Sequence, residues 1–476
     1  MSIGNKALTA GIWLGSFSYA KQAFSFIAQI VLARFLMPED FGQYALMSSV
    51  LELLLILVNI ASADGIVKFQ TEDDILPTAW KITVYLVFGV LALATIGLFV
   101  ALAAGVSDQV VALLFILTLS RLMRLPASVQ EVWVEKDLKY RLVSATIFAS
   151  TIVGASAGVI AAISDFGVWS LIIKELFESA TFIILMQNLS KVDRRGRFNS
   201  VTARKLLRYG YELIGSRLMD VLSARLPVIL LGFGWSLQVT GYFERGYYLS
   251  DVQNTAISPI ANRVIRSVYG KIQFSIDKVS EALYWHLFVT LRWSLPVALF
   301  LFISGNEFVV LLFGEQWHVV GDIVVALSLW IAFHSSCVAM EVCIKTVDTP
   351  FAMTISKTIG VFGVTVGFAI GIMYDQWLYV AVGYSVSVLL RALYLVYYLK
   401  RKLEITVDWF GCLSKPLVTI VLLFSAQVYF SDVLTQWWLV GLLIVSAWIL
   451  MLLVFERRPL RELAARLGVN VNPILG

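Results

Sequence analysis

Residues Asn188–Gly210 read NLSKVDRRGRFNSVTARKLLRYG. Seven of these 23 residues are Lys or Arg, and long apolar runs flank them on both sides. Such a segment cannot cross a bilayer, and short loops rich in Lys and Arg stay on the cytoplasmic side. Working outward, the chain breaks into apolar stretches of roughly 20 residues, the length a helix needs to cross the hydrocarbon core. Six precede the basic segment, beginning with 11–33, and eight follow it, ending with 437–455. The seventh (211–233) and eighth (240–262) carry several charges.

Composition agrees. Of 476 residues, 59% are hydrophobic and only 14% charged, where soluble domains carry about 25% charged residues. A mean hydropathy of +0.82 leaves more apolar surface than one aqueous core can bury. With the N-terminus placed in the cytoplasm, 29 Lys and Arg fall in inner segments and only Arg34 in an outer one. This bias predicts an even number of spans with both termini inside. The net charge of +5 is therefore topological and does not point to nucleic acid. Cys337, Cys343 and Cys412 form no CxxC or metal-ligand spacing and read as packing residues.

The expected fold is an all-α polytopic membrane protein with about fourteen transmembrane helices. Two pseudo-symmetric six-helix lobes, 1–190 and 211–400, are joined by a cytoplasmic linker at 191–210 and followed by a helix pair within 401–476. An internal echo supports the lobes. Ile30-Val31-Leu32-Ala33 with Gly42 and Tyr44 is matched 199 residues on by Ile229-Leu230-Leu231-Gly232 with Gly241 and Phe243. Glu131-Val132-Trp133-Val134 is matched 210 residues on by Glu341-Val342-Cys343-Ile344. Paired repeats are a common transporter architecture. The stretch Glu456–Gly468 has an apolar and a charged face and reads as an interfacial helix.

Seven cations remain inside predicted spans: Lys21, Lys174, Arg217, Arg225, Arg245, Arg292 and Arg391. Each costs roughly 2.5–3.5 kcal/mol at a helix centre on insertion scales, so the interior must be polar. Ser18, Lys21, Gln22, Ser25 and Gln29 form one polar stripe on the first helix. Lys21, Arg217, Arg225, Arg245 and Arg292 are the candidate substrate-binding cations of a wet central cavity. Glu52, Asp220 and Glu244 are candidate counter-ions or proton-linked acids, with Glu52 a partner for Lys21 and Glu244 a partner for Arg245 or a cation on helix seven. Lys174–Glu178 and Glu341–Lys345 stand at i, i+4 and can satisfy each other. Arg292 has no acid within reach on its own helix, and Arg391 sits where it can snorkel. There is no P-loop, GxGxxG, HExxH or GxSxG, so no cofactor, metal or catalytic residue is expected. The acidic cluster Glu72-Asp73-Asp74 reads as a solvated loop.

The run Leu32-Ala33-Arg34-Phe35-Leu36-Met37-Pro38-Glu39-Asp40-Phe41-Gly42 resembles the signature closing the first helix of the bacterial polysaccharide transporter family, part of the multidrug/oligosaccharidyl-lipid/polysaccharide (MOP) flippase superfamily. Glu135–Tyr140, Gly241–Gly246, Gly270–Gln273 and Leu312–Trp317 are similar to further motifs of colanic-acid-exporter-like and O-antigen-flippase-like members. Arg245 falls where many members carry Arg, with Glu244 and Gly246 departing from the pattern. The resemblance implies a flippase of the bacterial inner membrane. Its substrate would be an undecaprenyl-pyrophosphate-linked oligosaccharide, moved by alternating access among membrane lipids for exopolysaccharide, capsule or lipopolysaccharide synthesis. It implies a monomer serving a polysaccharide polymerase and a chain-length regulator. A cation-coupled drug exporter would need acids to dominate the cavity, where cations lead here. A membrane-embedded polymerase or ligase would need a larger outer loop than 305–320.

Overall fold

The computed structural model describes residues 3–58, 63–69, 74–136, 139–190, 196–348, 351–429, 436–457, 459 and 461–462. No strand occurs among them. The helices are α1 (Ile3–Phe35), α2 (Pro38–Leu55), α3 (Ala63–Lys68), α4 (Ile75–Ala103), α5 (Asp108–Lys136), α6 (Tyr140–Ile163), α7 (Trp169–Leu189) and α8 (Ser200–Gly234), then α9 (Leu237–Ile272), α10 (Ile276–Phe313), α11 (His318–Ala326), α12 (Ser328–Val347), α13 (Phe351–Tyr374), α14 (Tyr379–Lys402), α15 (Trp409–Tyr429) and α16 (Trp437–Leu450). Residues 191–195 of the basic segment, Glu72, Asp73 and most of the interfacial helix beyond Glu462 lie outside the described residues.

Every predicted span falls on a helix, the tenth on α11 and α12 together, which bend by 53°. Among the described residues, eight helices are long and apolar enough to cross a membrane, or nine if that bent pair is one span. The five others, α1, α2, α7, α8 and α9, carry most of the charges expected inside spans, including Lys21, Glu52, Lys174, Arg225 and Glu244, while Arg292 and Arg391 lie on α10 and α14. Fourteen crossings therefore remain an expectation, while a multi-pass membrane protein is established. On α4 the side chains of Phe88, Leu93, Ile96 and Phe99 are exposed, as suits a face solvated by lipid. Hydroxyls inside the helices bond back to carbonyls four residues earlier, Thr83 to Ala79 at 2.9 Å and Ser250 to Gly246 at 2.8 Å. Each such bond gives its hydroxyl a partner within the helix.

The chain divides into two compact units, Met1–Glu244 and Arg245–Gly476. The boundary residues expected at 191–210 lie inside the first unit, where α8 packs on α2 and α4. α8 starts on an Asn199 cap, whose side chain accepts from the amides of Val201 and Thr202. α2 starts with Pro38 and a bond from the Met37 amide to the Asp40 carboxylate at 3.0 Å.

The 199-residue echo is visible as a contact within this unit. A Cβ added at Gly42 would lie 1.7 Å from the Leu237 carbonyl oxygen, and one at Gly241 would lie 1.8 Å from that of Pro38. The same offset of 199 separates Gly42 from Gly241 and Pro38 from Leu237. The reciprocity is that of a local two-fold relation between the α1–α2 and α8–α9 corners, and only glycine permits so close a backbone approach. The offset of 210 recurs in two hairpins. The α6–α7 turn holds Asp165 at φ 59° and the α13–α14 turn holds Asp375 at φ 50°. Asp tolerates this left-handed conformation better than most residues.

Candidate functional site

Two polar clusters stand in the first unit, both built on α5 and α7. Arg121 and Arg124 are three residues apart on α5, and Glu175 and Glu178 are three apart on α7. Each pair of positions shares one helix face, so the helices meet as a two-rung ladder: Arg121 with Glu175, and Arg124 with Glu178.

The first rung belongs to a tightly bonded cluster. Arg121 donates to Glu175 through Nε at 2.8 Å and Nη2 at 3.2 Å. Nη2 also reaches Ser48 Oγ at 3.1 Å, and the Tyr44 hydroxyl donates to the same Glu175 carboxylate. Arg225 on α8 grips Glu52 on α2 with a two-pronged fork at 2.6 and 2.8 Å. Looser contacts join the pieces, Arg121 to Glu52 at 3.7 Å and Arg225 to Glu244 at 3.8 Å. Forks of this kind are the strongest charge-assisted bonds a protein makes. They tie α2, α5, α7, α8 and α9 together.

The second rung belongs to a looser, more cationic cluster. Arg124 and Lys174 approach Glu178 only to 4.0 and 3.9 Å. The short bond to that carboxylate comes from Thr151 Oγ1 on α6, at 3.1 Å. Lys21 on α1 lies within electrostatic reach of Glu178, Arg124, Lys174 and Glu131. The Arg124 guanidinium rests 4.4 Å from the centre of the Phe182 ring, and about a third of its side chain is exposed. Around the Lys21 stripe, Ser18 is exposed and Gln22, Ser25 and Gln29 are half-buried.

The expected site residues distribute unevenly. Lys21, Arg217 and Arg225 are in the first unit, and Arg245 and Arg292 in the second. Arg217 is half-buried and Asp220 exposed on α8. Glu52 differs from its expected pairing, since its partners are Arg225 and Arg121 rather than Lys21. Glu244 does meet a cation on the seventh predicted span, Arg225. Lys174 and Glu178 pair at i, i+4 as read, and Glu178 is shared with Arg124.

In the second unit Arg292 and Arg391 are closed off. Arg292 has an acid after all, brought from far along the chain: its fork binds Glu456, and the two side chains are 6% and 0% exposed. Its remaining donors reach the carbonyls of Cys412 at 2.7 Å and Gly411 at 3.4 Å. No donor is left for a ligand. Arg391 does not snorkel; it is buried against Glu341 at 3.0 Å, so Glu341 serves Arg391 rather than Lys345. Arg245 is buried, with its guanidinium 5.0 Å from the Tyr248 ring centre. The reading from single helices missed Arg121, Glu175, Tyr44 and Glu456. The three-residue spacing shared by Arg121–Arg124 and Glu175–Glu178 was the available signal for the ladder.

Comparison with known proteins fits this architecture. The family described as polysaccharide biosynthesis protein matches residues 31–322. The chain belongs to this family. It is 24% identical over 304 residues to the succinoglycan biosynthesis transport protein ExoT of Rhizobium meliloti (strain 1021), covering 61% of this chain and 59% of that protein. It is 24% identical over 327 residues to the lipopolysaccharide biosynthesis protein WzxC of Escherichia coli (strain K12), covering 67% and 65%. The matches thus span about three fifths of the length of these curated relatives. Among solved structures, the lipid II flippase MurJ in an inward closed conformation superposes with a TM-score of 0.72 at 14% identity, over 95% of this chain and 99% of that one. An inward-facing MATE transporter of the MOP superfamily gives 0.60 at 12% identity, over 79% and 93%. The fold is that of the MOP superfamily.

Proposed function

We propose that this protein flips an undecaprenyl-pyrophosphate-linked oligosaccharide repeat unit from the inner to the outer leaflet of a bacterial cytoplasmic membrane, by alternating access, for synthesis of an exopolysaccharide, capsule or lipopolysaccharide. The observation that carries this reading is the loosely paired cluster of Arg124, Lys174 and Glu178, with Lys21 within electrostatic reach, in the first unit. A diphosphate needs cations reachable from a wet space, with Arg gripping it as a fork and Lys as a point charge. An exporter of organic cations would instead need surplus carboxylate at that place. The relatives' roles in succinoglycan transport and lipopolysaccharide biosynthesis support the same class of cargo. A polysaccharide polymerase and a chain-length regulator are the expected partners beyond the membrane. Of the five cations expected from sequence, Lys21, Arg217 and Arg245 stay candidates for the cargo. Arg225 and Arg292 commit their forks to carboxylates and act as scaffold.

The bias of Lys and Arg supports cytoplasmic termini, with external labelling expected to reach Gln316→Cys and miss Ser200→Cys. The function itself is tested by reconstitution. Purified protein in liposomes should carry a fluorescent undecaprenyl-pyrophosphate-linked sugar to the leaflet where an impermeant glycosidase can cut it. Protection equal to that in empty liposomes, combined with export of an organic cation by the same preparation, would replace the flippase with a drug exporter.

A further inference from the structure

One acid inside the helices differs from the rest. Glu52, Glu175, Glu178, Glu244, Glu341 and Glu456 each have an Arg or Lys within 4.0 Å. Asp251 stands on α9 at the middle of the eighth predicted span, 240–262, and has no such cation among the described residues. Its one hydrogen bond there comes from Asn254 Nδ2, at 3.1 Å. A carboxylate without a counter-ion is costly inside a membrane and marks a functional place. The side chains behind it form a directed chain. Gln253 Nε2 donates to Ser335 Oγ at 3.4 Å, and Ser335 Oγ donates to Asn254 Oδ1 at 3.2 Å, before Asn254 donates to Asp251. An ionised carboxylate only accepts, so the Asn254 amide turns its nitrogen to Asp251 and its oxygen to Ser335. Bonds aligned in this way strengthen one another. Ser335 of α12 thereby holds Asp251 of α9 as an oriented acceptor.

What the acceptor meets follows from its helix face. Tyr248, Asp251 and Thr255 are three and four residues apart and share one face of α9. Leu249, Ser250 and Gln253 on the other side are buried, whereas Tyr248 and Asp251 are half-buried and Thr255 is exposed. A face with a carboxylate is not solvated by lipid, so its exposure is to a wet space. A metal ion would need several oxygens turned to one point. Here the Asn254 nitrogen faces Asp251, and the Asn254 oxygen is taken by Ser335. A sugar needs something else: an acceptor for its hydroxyls and an aromatic ring for its C–H face. Asp251 and Tyr248, one turn apart, offer both. We propose that Tyr248 and Asp251 form a site for a sugar of the cargo, with Asp251 accepting hydroxyl hydrogens and Asn254 and Ser335 as positioning residues. This rests on the flippase reading above and adds a saccharide site within the second unit.

The test uses the full-length protein in nanodiscs and compares two probes. One is the undecaprenyl-pyrophosphate-linked oligosaccharide extracted from the source bacterium, and the other is undecaprenyl pyrophosphate without sugar. The wild type should bind the glycosylated lipid more tightly. Asp251→Asn keeps the shape of the side chain and should weaken that lipid by about tenfold, one charge-assisted bond's worth, with binding of the bare lipid unchanged. Asp251→Glu should recover part of the loss. Ser335→Ala breaks the chain behind the acceptor and should weaken the glycosylated lipid by about threefold, again sparing the bare lipid. The melting temperature of Asp251→Asn should hold or rise, because an uncompensated charge is gone. Equal losses for both lipids would make Asp251 a carrier of protons or cations, or a piece of scaffold, and overturn the sugar site; unchanged binding of both overturns it too. A wild type that binds both lipids alike removes the sugar site and keeps the flippase reading, whereas a wild type that binds neither overturns both. If Asp251→Asn fails to insert, Tyr248→Leu carries the same test and should weaken the glycosylated lipid alone.

Discussion

The hairpins α6–α7 and α13–α14 have the same construction and different side chains on their second helices. Both turn through an Asp at positive φ, and their second helices begin 210 residues apart, at Trp169 and Tyr379. Both close on glycine: a Cβ at Gly158 would lie 2.7 Å from the Lys174 Cβ, and one at Gly367 would lie 2.4 Å from the Tyr379 carbonyl. Yet where α7 carries Lys174, Glu175 and Glu178, the positions 210 further on α14 are Tyr384, Ser385 and Val388. Tyr384 is buried and stacks on Trp330 at 5.8 Å. The second hairpin thus needs glycine and a tight turn but no charge at these three positions; its buried cation, Arg391, stands further along α14 and bonds Ser356 of α13. The charges of α7 are there for another reason.

One large expected effect is shared by the two hairpins. Gly158→Val and Gly367→Val each force a branched side chain into contacts that already exclude a Cβ, which should cost about 3 kcal/mol. Melting temperatures of the purified variants in detergent should fall together. A hairpin that tolerates its valine would show that the two are not built alike and would end the comparison.

The next effect separates the units. Arg292 and Glu456 lie buried together, and deleting one partner strands the other charge, at a cost of about 3–5 kcal/mol. Arg292→Met alone should lower the melting temperature strongly, and Arg292→Met with Glu456→Leu should recover most of the loss, since apolar pairs commonly replace buried ion pairs at little cost. Trp448 donates to the Arg292 carbonyl at 2.9 Å, a backbone bond that the double variant retains. Persistent instability of the double variant would mean the pair has no apolar substitute.

Much of this was legible in sequence, within one horizon. Periodicity finds helices, and spacing finds partners three or four residues apart, as for Lys174 and Glu178. The 199-residue echo also marked two glycines, Gly42 and Gly241, whose backbones meet in the fold. Partners on other helices are set by packing, which no spacing encodes. Glu52 meets Arg225 across 173 residues, and Arg292 meets Glu456 across 164. An acid missing from a cation's own helix therefore says little about whether the cation is paired, and that is why Arg292 read as a cavity residue.

The smallest expected effect on stability is also the sharpest test of the comparison. If α14 fills the positions 210 residues on from Lys174 and Glu178 with Tyr384 and Val388, α7 should hold its hairpin without those two charges. Lys174→Met with Glu178→Met keeps the Cβ atoms that pack on Gly158 and Gly154 and the length of both stems. It removes a pair 3.9 Å apart, longer than a formed charge-assisted bond, so little stability should go with it. The melting temperature should move by only a few degrees. Arg124 then loses its carboxylate, but a third of its side chain is already exposed and its ring contact with Phe182 remains, so it is not stranded as Arg292 would be. Flipping of the lipid-linked sugar should fall to background all the same. Loss of folding in this double variant, at a scale near that of the glycine substitutions, would make the charges part of the scaffold and place α7 beside the buried pairs of the second unit.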